Sequence, residues 1–195
     1  MRWKNGAGWT SEIIKVPDAD DWDWRLSIAE IETDAPFSAF PGLERELVLL
    51  SGNGLRLRFD DGASHDLLPP HDKLRFAGER SAFGELIDGP TRDFNLMWKR
   101  EAVNAQLWHR PLVGTMVLFV DPGETWIVHM LAGQARFVDG TGFGELGMGD
   151  TAVLPAIDGA RTRHAIDGGG EALLIRISPV GAVSSTEVAE APPLD

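Results

Sequence analysis

The sequence contains no cysteine among its 195 residues. This absence excludes disulfide bonds, thiol catalysis and cysteine-ligated zinc or iron–sulfur centres. Long apolar stretches are also missing: the longest runs, such as Leu47–Leu50, fall far short of the about 20 residues that a membrane-spanning helix needs. The N-terminal segment Met1–Asn5 lacks the apolar region of a signal peptide. We therefore expect a cytoplasmic protein without a membrane span.

Positive charge is scarce, since 18 lysines and arginines stand against 30 aspartates and glutamates, for a net charge of -12. Such a balance argues against a nucleic-acid partner and against an anionic membrane surface, because both require a basic footprint. A small anionic ligand stays compatible with it, because a local group of arginines can reverse the field inside one pocket.

Short apolar runs separated by Gly, Pro and Asp indicate an all-β fold, since no stretch sustains the 3.6-residue period of a helix. The segment Trp24–Ile31 alternates with a period of two, which places Arg25 and Ser27 on the face opposite Trp24. That polar face is compatible with exposure to solvent and with a polar interior of the fold. Two runs, Glu46–Leu50 and Leu55–Phe59, flank an Asn-Gly pair and predict a β-hairpin.

The strand pattern occurs twice, with Gly52 and Gly133 at matching positions about 80 residues apart. This repeat predicts two fused β-barrels or sandwiches, one over residues 1–100 and one over residues 101–178. Residues 100–114 would join the halves. Residues 179–195, rich in Pro and Ser, read as a loosely attached tail.

One predicted strand, Thr91–Met97, begins with an unusual density of polar residues. Alternation places Asp93, Asn95 and Met97 on one face and Arg92 on the other, unless a bulge re-aims it. If such polar residues are buried, they must pair with each other or with a ligand.

Two loops carry further candidate groups. Trp3–Thr10 combines aromatic, cationic and amide side chains on a glycine-rich turn, which is typical either of a binding loop or of a plain packed turn. Pro36–Arg45 offers aromatic wall residues and Arg45 as an anion anchor, or else a packed loop with an ordinary ion pair.

The five histidines of the chain form no His-x-His pair on a strand and no i, i+4 pair on a helix. The pattern therefore predicts no metal and no cofactor, although an assembly of distant ligands stays open. The sequence also lacks a nucleophile elbow, a phosphate loop and a dinucleotide fingerprint.

Four separated motifs resemble the HutD/Ves family: Trp3–Gly8, Trp22–Ala29, Pro36–Arg45 and Gly89–Met97. The family often has a further glycine where this chain has Ala7. The resemblance implies a duplicated, cupin-like fold (an RmlC-like jelly roll, here a bicupin) and a regulatory role linked to histidine utilisation. No catalytic activity is established for that family as a class, and the resemblance suggests a small carboxylate as the ligand.

We thus expect a protein that binds a small organic acid of the urocanate or formylglutamate type. No residue is assigned a catalytic role; Trp24 is expected in the apolar wall, and the expected ligand-binding residues are Trp3, Lys4, Asn5, Arg25, Ser27, Phe40, Arg45, Arg92, Asp93, Asn95 and Met97.

The alternative is a metal-independent isomerase or hydrolase that uses the same pocket, with Glu44 or Asp93 as general base. An adjacent arginine would lower the pKa of such a carboxylate and weaken it as a base. A purely structural or interaction role is the third hypothesis. Exposed strand edges would allow a homodimer.

Overall fold

The structure, a computed structural model, describes residues 1–3, 6–138, 142–157 and 159–181. These residues form β-strands and no helix, so the predicted all-β class is confirmed. The described residues accordingly contain no helix that could cross a membrane. The strands are β1 (Gly8–Val16), β2 (Trp24–Ile31), β3 (Ala35–Pro36), β4 (Leu43–Ser51), β5 (Leu55–Phe59), β6 (Ser64–Leu67), β7 (Lys73–Ala77), β8 (Ala82–Leu86), β9 (Thr91–Lys99), β10 (Val103–Val120), β11 (Thr125–Phe137), β12 (Glu145–Gly147), β13 (Thr151–Pro155) and β14 (Thr162–Pro179).

The first nine strands make two open, antiparallel sheets. Sheet A has the order β1-β2-β9-β4-β7, and sheet B has the order β3-β8-β5-β6. Sheet C contains the last five strands, in the order β10-β14-β11-β12, with β13 also paired to β11. Strand β9 is therefore the centre of sheet A, and its neighbours β2 and β4 contribute most to the site described below.

Strand pairing follows one pattern in both halves. In the second half, β10 pairs with β14, and the equivalent pairs in the first half are β2 with β9 and β3 with β8. Likewise β11 pairs with β14 in the second half, where the first half has β4 paired with β9 and β5 paired with β8. The pairs β11–β12 and β11–β13 likewise correspond to β5–β6 and β4–β7. Long strands of the second half thus occupy the places of two shorter strands in the first. A duplicated arrangement would have this pairing pattern, and the division at residue 100 stays a prediction.

The predicted hairpin between Glu46–Leu50 and Leu55–Phe59 is wrong. Strand β4 lies in sheet A and β5 in sheet B, so the turn between them crosses from one sheet to the other. Gly52 allows this crossing because it has a φ of 103° and because a side chain there would lie 2.7 Å from the Pro90 carbonyl oxygen. An Asn-Gly pair favours a tight turn, but the turn alone does not decide whether its flanking strands pair.

The expected linker over residues 100–114 is also wrong. Strand β10 begins at Val103 and pairs with β14 along its whole length of 18 residues. The halves are instead joined by a short turn and by a shared apolar core. That core contains Trp24, Leu26, Val48, Phe94, Leu96 and Trp98 from sheet A, and Ala105, Leu107, Ile127, Leu173, Ile175 and Ile177 from sheet C.

One histidine, His129, is buried in this shared core beside Phe94, with ring centroids 5.0 Å apart. Its Nδ1 lies 2.8 Å from the hydroxyl of Thr151, which satisfies one ring nitrogen. Burial lowers the pKa of His129 to about 4, against a smaller opposing effect of Asp150. The imidazole is therefore neutral at physiological pH and behaves as part of the packed core.

We predict that Phe94→Ala lowers the free energy of unfolding by about 3–5 kcal/mol, because it leaves a cavity in the core that joins the halves. Phe94 has no exposed surface, whereas Phe83 on sheet B is 40% exposed. The matched control Phe83→Ala should therefore cost less than about 1 kcal/mol. Urea unfolding, followed by tryptophan fluorescence, measures both; equal costs in the two variants would contradict the assignment of this core.

Candidate functional site

Strands β2, β9 and β4 turn a polar face toward the interior of the first half. Residues on the same face of β4 pack against Leu55 and Leu57 of sheet B, so this face lies between the two sheets. The strand register places their side chains in three adjacent rows across β2, β9 and β4. In that strand order the rows are Arg25, Met97 and Arg45; Ser27, Asn95 and Leu47; and Ala29, Asp93 and Leu49. We call the six residues Arg25, Ser27, Arg45, Asp93, Asn95 and Met97 the Arg45 cluster.

Arg45 is a charged side chain with only 3% of its surface exposed. Its guanidinium lies 5.2–5.5 Å from the ring centroids of Phe37, Phe40 and Phe76. One nitrogen, Nη1, donates a 3.3 Å hydrogen bond to the Ser38 carbonyl, and Nε has no hydrogen-bond partner among the described residues. Burial lowers the pKa of Arg45 to about 10, so the group stays protonated at neutral pH. No carboxylate among the described residues forms an ion pair with it.

Asp93 is the acidic member of the cluster, and it is 1% exposed. Burial raises the pKa of its carboxyl to about 7, and the more distant charge of Arg45 only partly opposes that effect. The expected lowering of the pKa by an adjacent arginine is therefore wrong for this residue. Desolvation dominates because the two groups are not in ion-pair contact, and the Oδ1 atom of Asp93 has no hydrogen-bond partner in the part of the chain that the structure describes.

The remaining members are also incompletely hydrogen-bonded. Arg25 Nη2 and Asn95 Nδ2 each lie 3.5 Å from the sulfur of Met97, which is a weak acceptor. Three further atoms, Arg25 Nε, Ser27 Oγ and Asn95 Oδ1, have no hydrogen-bond partner within the described ranges. The same holds for Oγ1 of Thr91, which continues the face at the start of β9. Buried polar atoms need hydrogen-bonding partners, so the face is suited to receive a polar molecule.

The structure brings together most of the residues that the sequence placed in a site. Six form the Arg45 cluster, and Phe40 packs over the Arg45 guanidinium. Trp3 lies farther out, with its ring centroid 6.1 Å from that of Phe37 and its Nε1 donating to the Thr10 hydroxyl. Lys4 and Asn5 lie outside the described residues.

Three residues named in the sequence analysis lie elsewhere. Arg92 projects from the other face of β9, is exposed, and lies 3.4 Å from a carboxylate oxygen of Glu30. Trp24 belongs to the core shared with sheet C and not to an interior wall. Glu44 also faces away from the cluster and pairs with Arg75 and Arg100. We therefore leave all three out of the candidate site.

Sequence reasoning missed Phe76 as a neighbour of Arg45, since the contact arises only through the β4–β7 pairing. It also missed a group of His71, His109 and Glu171, which are far apart in the chain and lie close together in space. No local spacing reveals either contact; a register for the sheets would have been needed.

Two open depressions on the surface, of about 460 and 530 Å³, do not coincide with the Arg45 cluster. The first lies along sheet B near Arg58 and Phe83, and the second lies at the strand ends near Glu30 and Arg92. Only Thr91, at the margin of the polar face, lines one of them. We assign the site from converging buried polar groups, because size without chemistry does not define a binding site.

Comparison with known protein families gives a match over most of the chain. The model of the family described as HutD matches residues 1–174. An uncharacterized 21.2 kDa protein in the hutC 3' region of Pseudomonas putida is 42% identical over 109 residues, covering 55% of this chain and 57% of the relative. Protein Ves of Cronobacter sakazakii is 40% identical over 106 residues, covering 54% and 58%. These matches span little more than half the length of the curated relatives.

Solved structures extend the likeness to nearly the whole chain. The structure of HutD from Pseudomonas fluorescens SBW25, in a formate condition, has a TM-score of 0.80 and 30% identity over 93% of this chain and 94% of that one. A cupin 2 conserved barrel domain protein from Leptotrichia buccalis has a TM-score of 0.55 and 17% identity, with 92% of each chain covered. The predicted cupin-like fold is thereby confirmed.

We predict that Asp93→Asn changes how stability depends on pH. Between pH 4 and 7 the folded protein keeps a proton that an unfolded Asp93, with its ordinary pKa of 3.8, has lost. The wild-type free energy of unfolding therefore carries a penalty that grows as pH rises through this range. The variant lacks this penalty. Its free energy of unfolding minus that of the wild type should therefore rise by roughly 2–4 kcal/mol between pH 4 and 7.5.

Urea unfolding at several pH values measures that difference. Asp20→Asn is the matched control, because Asp20 is exposed and should give a flat profile. A difference that stays flat or falls for Asp93→Asn would show that the carboxyl is ionised across this range.

Proposed function

The chain belongs to the HutD family, and on that premise we propose that it binds a small organic acid at the Arg45 cluster, inside the first half of its cupin-like fold. The observation that carries this proposal is a buried arginine without an ion-pair partner among the described residues. Its unpartnered Nε shares a face with unpartnered atoms of Ser27, Asp93 and Asn95. An anion placed there would balance the charge and accept hydrogen bonds from Arg45 Nε, the Ser27 hydroxyl and a protonated Asp93, while Asn95 Oδ1 can accept one from a donor group on the ligand.

A carboxylate is suited to this site. The planar fork of Arg45 matches two carboxylate oxygens, and the surrounding rings restrict where the fork can point. Asp93, with a pKa raised to about 7, can while protonated donate a hydrogen bond to a carboxylate oxygen of the ligand. Apolar wall is available from Phe40 and Met97.

The relatives support one class of ligand. One relative is described as lying in the hutC 3' region, and a solved structure of HutD is the neighbour with a TM-score of 0.80. We therefore place the ligand among the carboxylates of histidine utilisation, of the urocanate or formylglutamate type. Because binding needs no chemical step from these groups, we assign the protein a regulatory role in which ligand occupancy is the signal.

One observation favours a second candidate function, a metal-independent isomerase or hydrolase. The pKa of Asp93, raised to about 7 by burial, suits a group that takes up and releases a proton near neutral pH. Glu44, the other candidate base, faces away from the cluster. Proton NMR of each acid incubated with the protein separates the two functions. Product formation that is lost in Asp93→Asn would favour the enzyme, and binding without product favours the regulatory role.

We predict that Arg45→Lys weakens the binding of urocanate, formylglutamate and formate at least tenfold. The substitution keeps a positive charge but removes the bidentate fork, and a truncated partner of a buried charge pair costs about 2–5 kcal/mol. Isothermal titration calorimetry measures the dissociation constants, with imidazole as a comparison that lacks the carboxylate. Arg92→Lys is the matched control, since Arg92 is exposed on the opposite face.

Thermal melting of both variants confirms that they are folded at the titration temperature. The proposal requires that Arg92→Lys bind as the wild type does. It is overturned if the wild type binds none of the acids at millimolar concentration, or if the two substitutions weaken binding equally.

Binding should also depend on pH. As Asp93 ionises above its pKa of about 7, its charge repels a carboxylate and it can no longer donate a hydrogen bond. We therefore expect the affinity for formate, whose own charge does not change here, to fall from pH 6 to pH 8. Titrations in Asp93→Asn should show a flat profile over the same range, and a wild-type affinity that rises with pH would contradict this role of Asp93.

A further inference from the structure

A group of two histidines and a glutamate lies where the two halves of the chain meet. His71 comes from the turn before β7, while His109 and Glu171 project from the paired strands β10 and β14. The ligating atoms of all three side chains lie within 4.8 Å of one another. Nε2 of His109 is 2.9 Å from Oε2 of Glu171, and Nε2 of His71 is 3.3 Å from the same oxygen.

One hydrogen bond determines that Nδ1 of His71 carries a proton. Its Nδ1 lies 3.1 Å from the carbonyl oxygen of Leu49. A carbonyl only accepts, so Nδ1 must carry the proton. In a neutral imidazole the Nε2 lone pair then points at a carboxylate oxygen, which is also an acceptor. Two acceptors in contact repel each other unless a proton or a metal cation lies between them.

The spacing suits a metal cation. Zinc binds imidazole nitrogen and carboxylate oxygen at about 2.0–2.2 Å, so two ligand atoms of a tetrahedral site lie about 3.3–3.5 Å apart. The 3.3 Å separation between Oε2 of Glu171 and Nε2 of His71 matches this value. The 2.9 Å separation between Oε2 and Nε2 of His109 is a hydrogen-bond distance, so binding of the metal would widen it by about 0.5 Å. The bond from His71 Nδ1 to a carbonyl is the outer contact that commonly orients a metal-bound histidine.

Access and backbone conformation agree with a binding role. The side chains of His71, His109 and Glu171 are 17%, 33% and 44% exposed, so an ion can enter from solvent while the ligands remain held by the fold. His71 has a φ of 57°, a left-handed conformation that side-chain-bearing residues seldom adopt. Residues held in this region cluster at functional sites.

From these observations we infer that His71 Nε2, His109 Nε2 and Glu171 bind one divalent transition-metal ion, with Zn²⁺ as the fitting example, at the junction of the two halves. Two imidazoles and one carboxylate leave a fourth position open to water or another ligand. The site is independent of the Arg45 cluster, and it does not rest on the proposed binding of an organic acid. We expect the bound metal ion to hold the turn before β7 in contact with sheet C.

Zinc titration of the full chain, freed of metal by a chelator, tests the site. Calorimetry with ZnCl₂ should give one saturable site. His109→Gln and Glu171→Gln should each weaken zinc binding at least tenfold. His65→Gln is the matched control, because His65 is an exposed histidine on β6, outside the cluster.

Two further measurements keep the test decisive. Zinc should raise the melting temperature of the wild type and of His65→Gln, but not that of the two cluster variants. Histidine ring NMR should show that Nε2 of His71 and His109 shift on addition of zinc. The inference is overturned if the wild type binds no zinc, or if either cluster variant binds it as tightly as the wild type; the group is then a hydrogen-bonded cluster held by protons.

Discussion

The two-residue period of β9 is the constraint on which the rest of the structure depends. On one face, Phe94, Leu96 and Trp98 pack into the core shared with sheet C. On the other, Asp93 and Asn95 enter the interior of the first half. A slip of one residue in register would place a carboxyl in the apolar core and phenylalanine in the polar interior. The packing that joins the halves thus also fixes where the polar groups lie.

The sequence alone predicts much of this because period-two alternation is local. It separates Arg25 and Ser27 from Trp24, and it separates Asp93 and Asn95 from their apolar neighbours. It also places Arg92 on the opposite face, so including that residue in a site required a bulge on β9 that re-aims it. The register shift beside Arg92 lies on β4, between Leu49 and Ser51, and β9 keeps its alternation against β2. The family resemblance adds the cupin-like fold, which alternation within single strands cannot distinguish from other all-β architectures.

What the sequence does not predict depends on contacts between distant strands. The β4–β5 turn suits a hairpin locally, yet its strands lie in different sheets. The rings around Arg45 include Phe76, which is placed there by the β4–β7 register. The pKa of Asp93 depends on its depth of burial, which no local pattern gives. His71 meets Glu171 only because the two halves pack together.

Strand β4 shows how Arg45 differs from the charged residues beside it. Its neighbours Glu44 and Glu46 lie on the other face, and both form ion pairs with basic residues, Glu46 with Lys73 at 2.7 Å. Arg45, between them, has rings and one carbonyl as its partners. A buried charge of this kind contributes little to stability, since an apolar side chain of similar volume is often as good or better. The rings and the carbonyl hold the guanidinium in place but do not neutralise its charge, and the proposed binding of a carboxylate would do so.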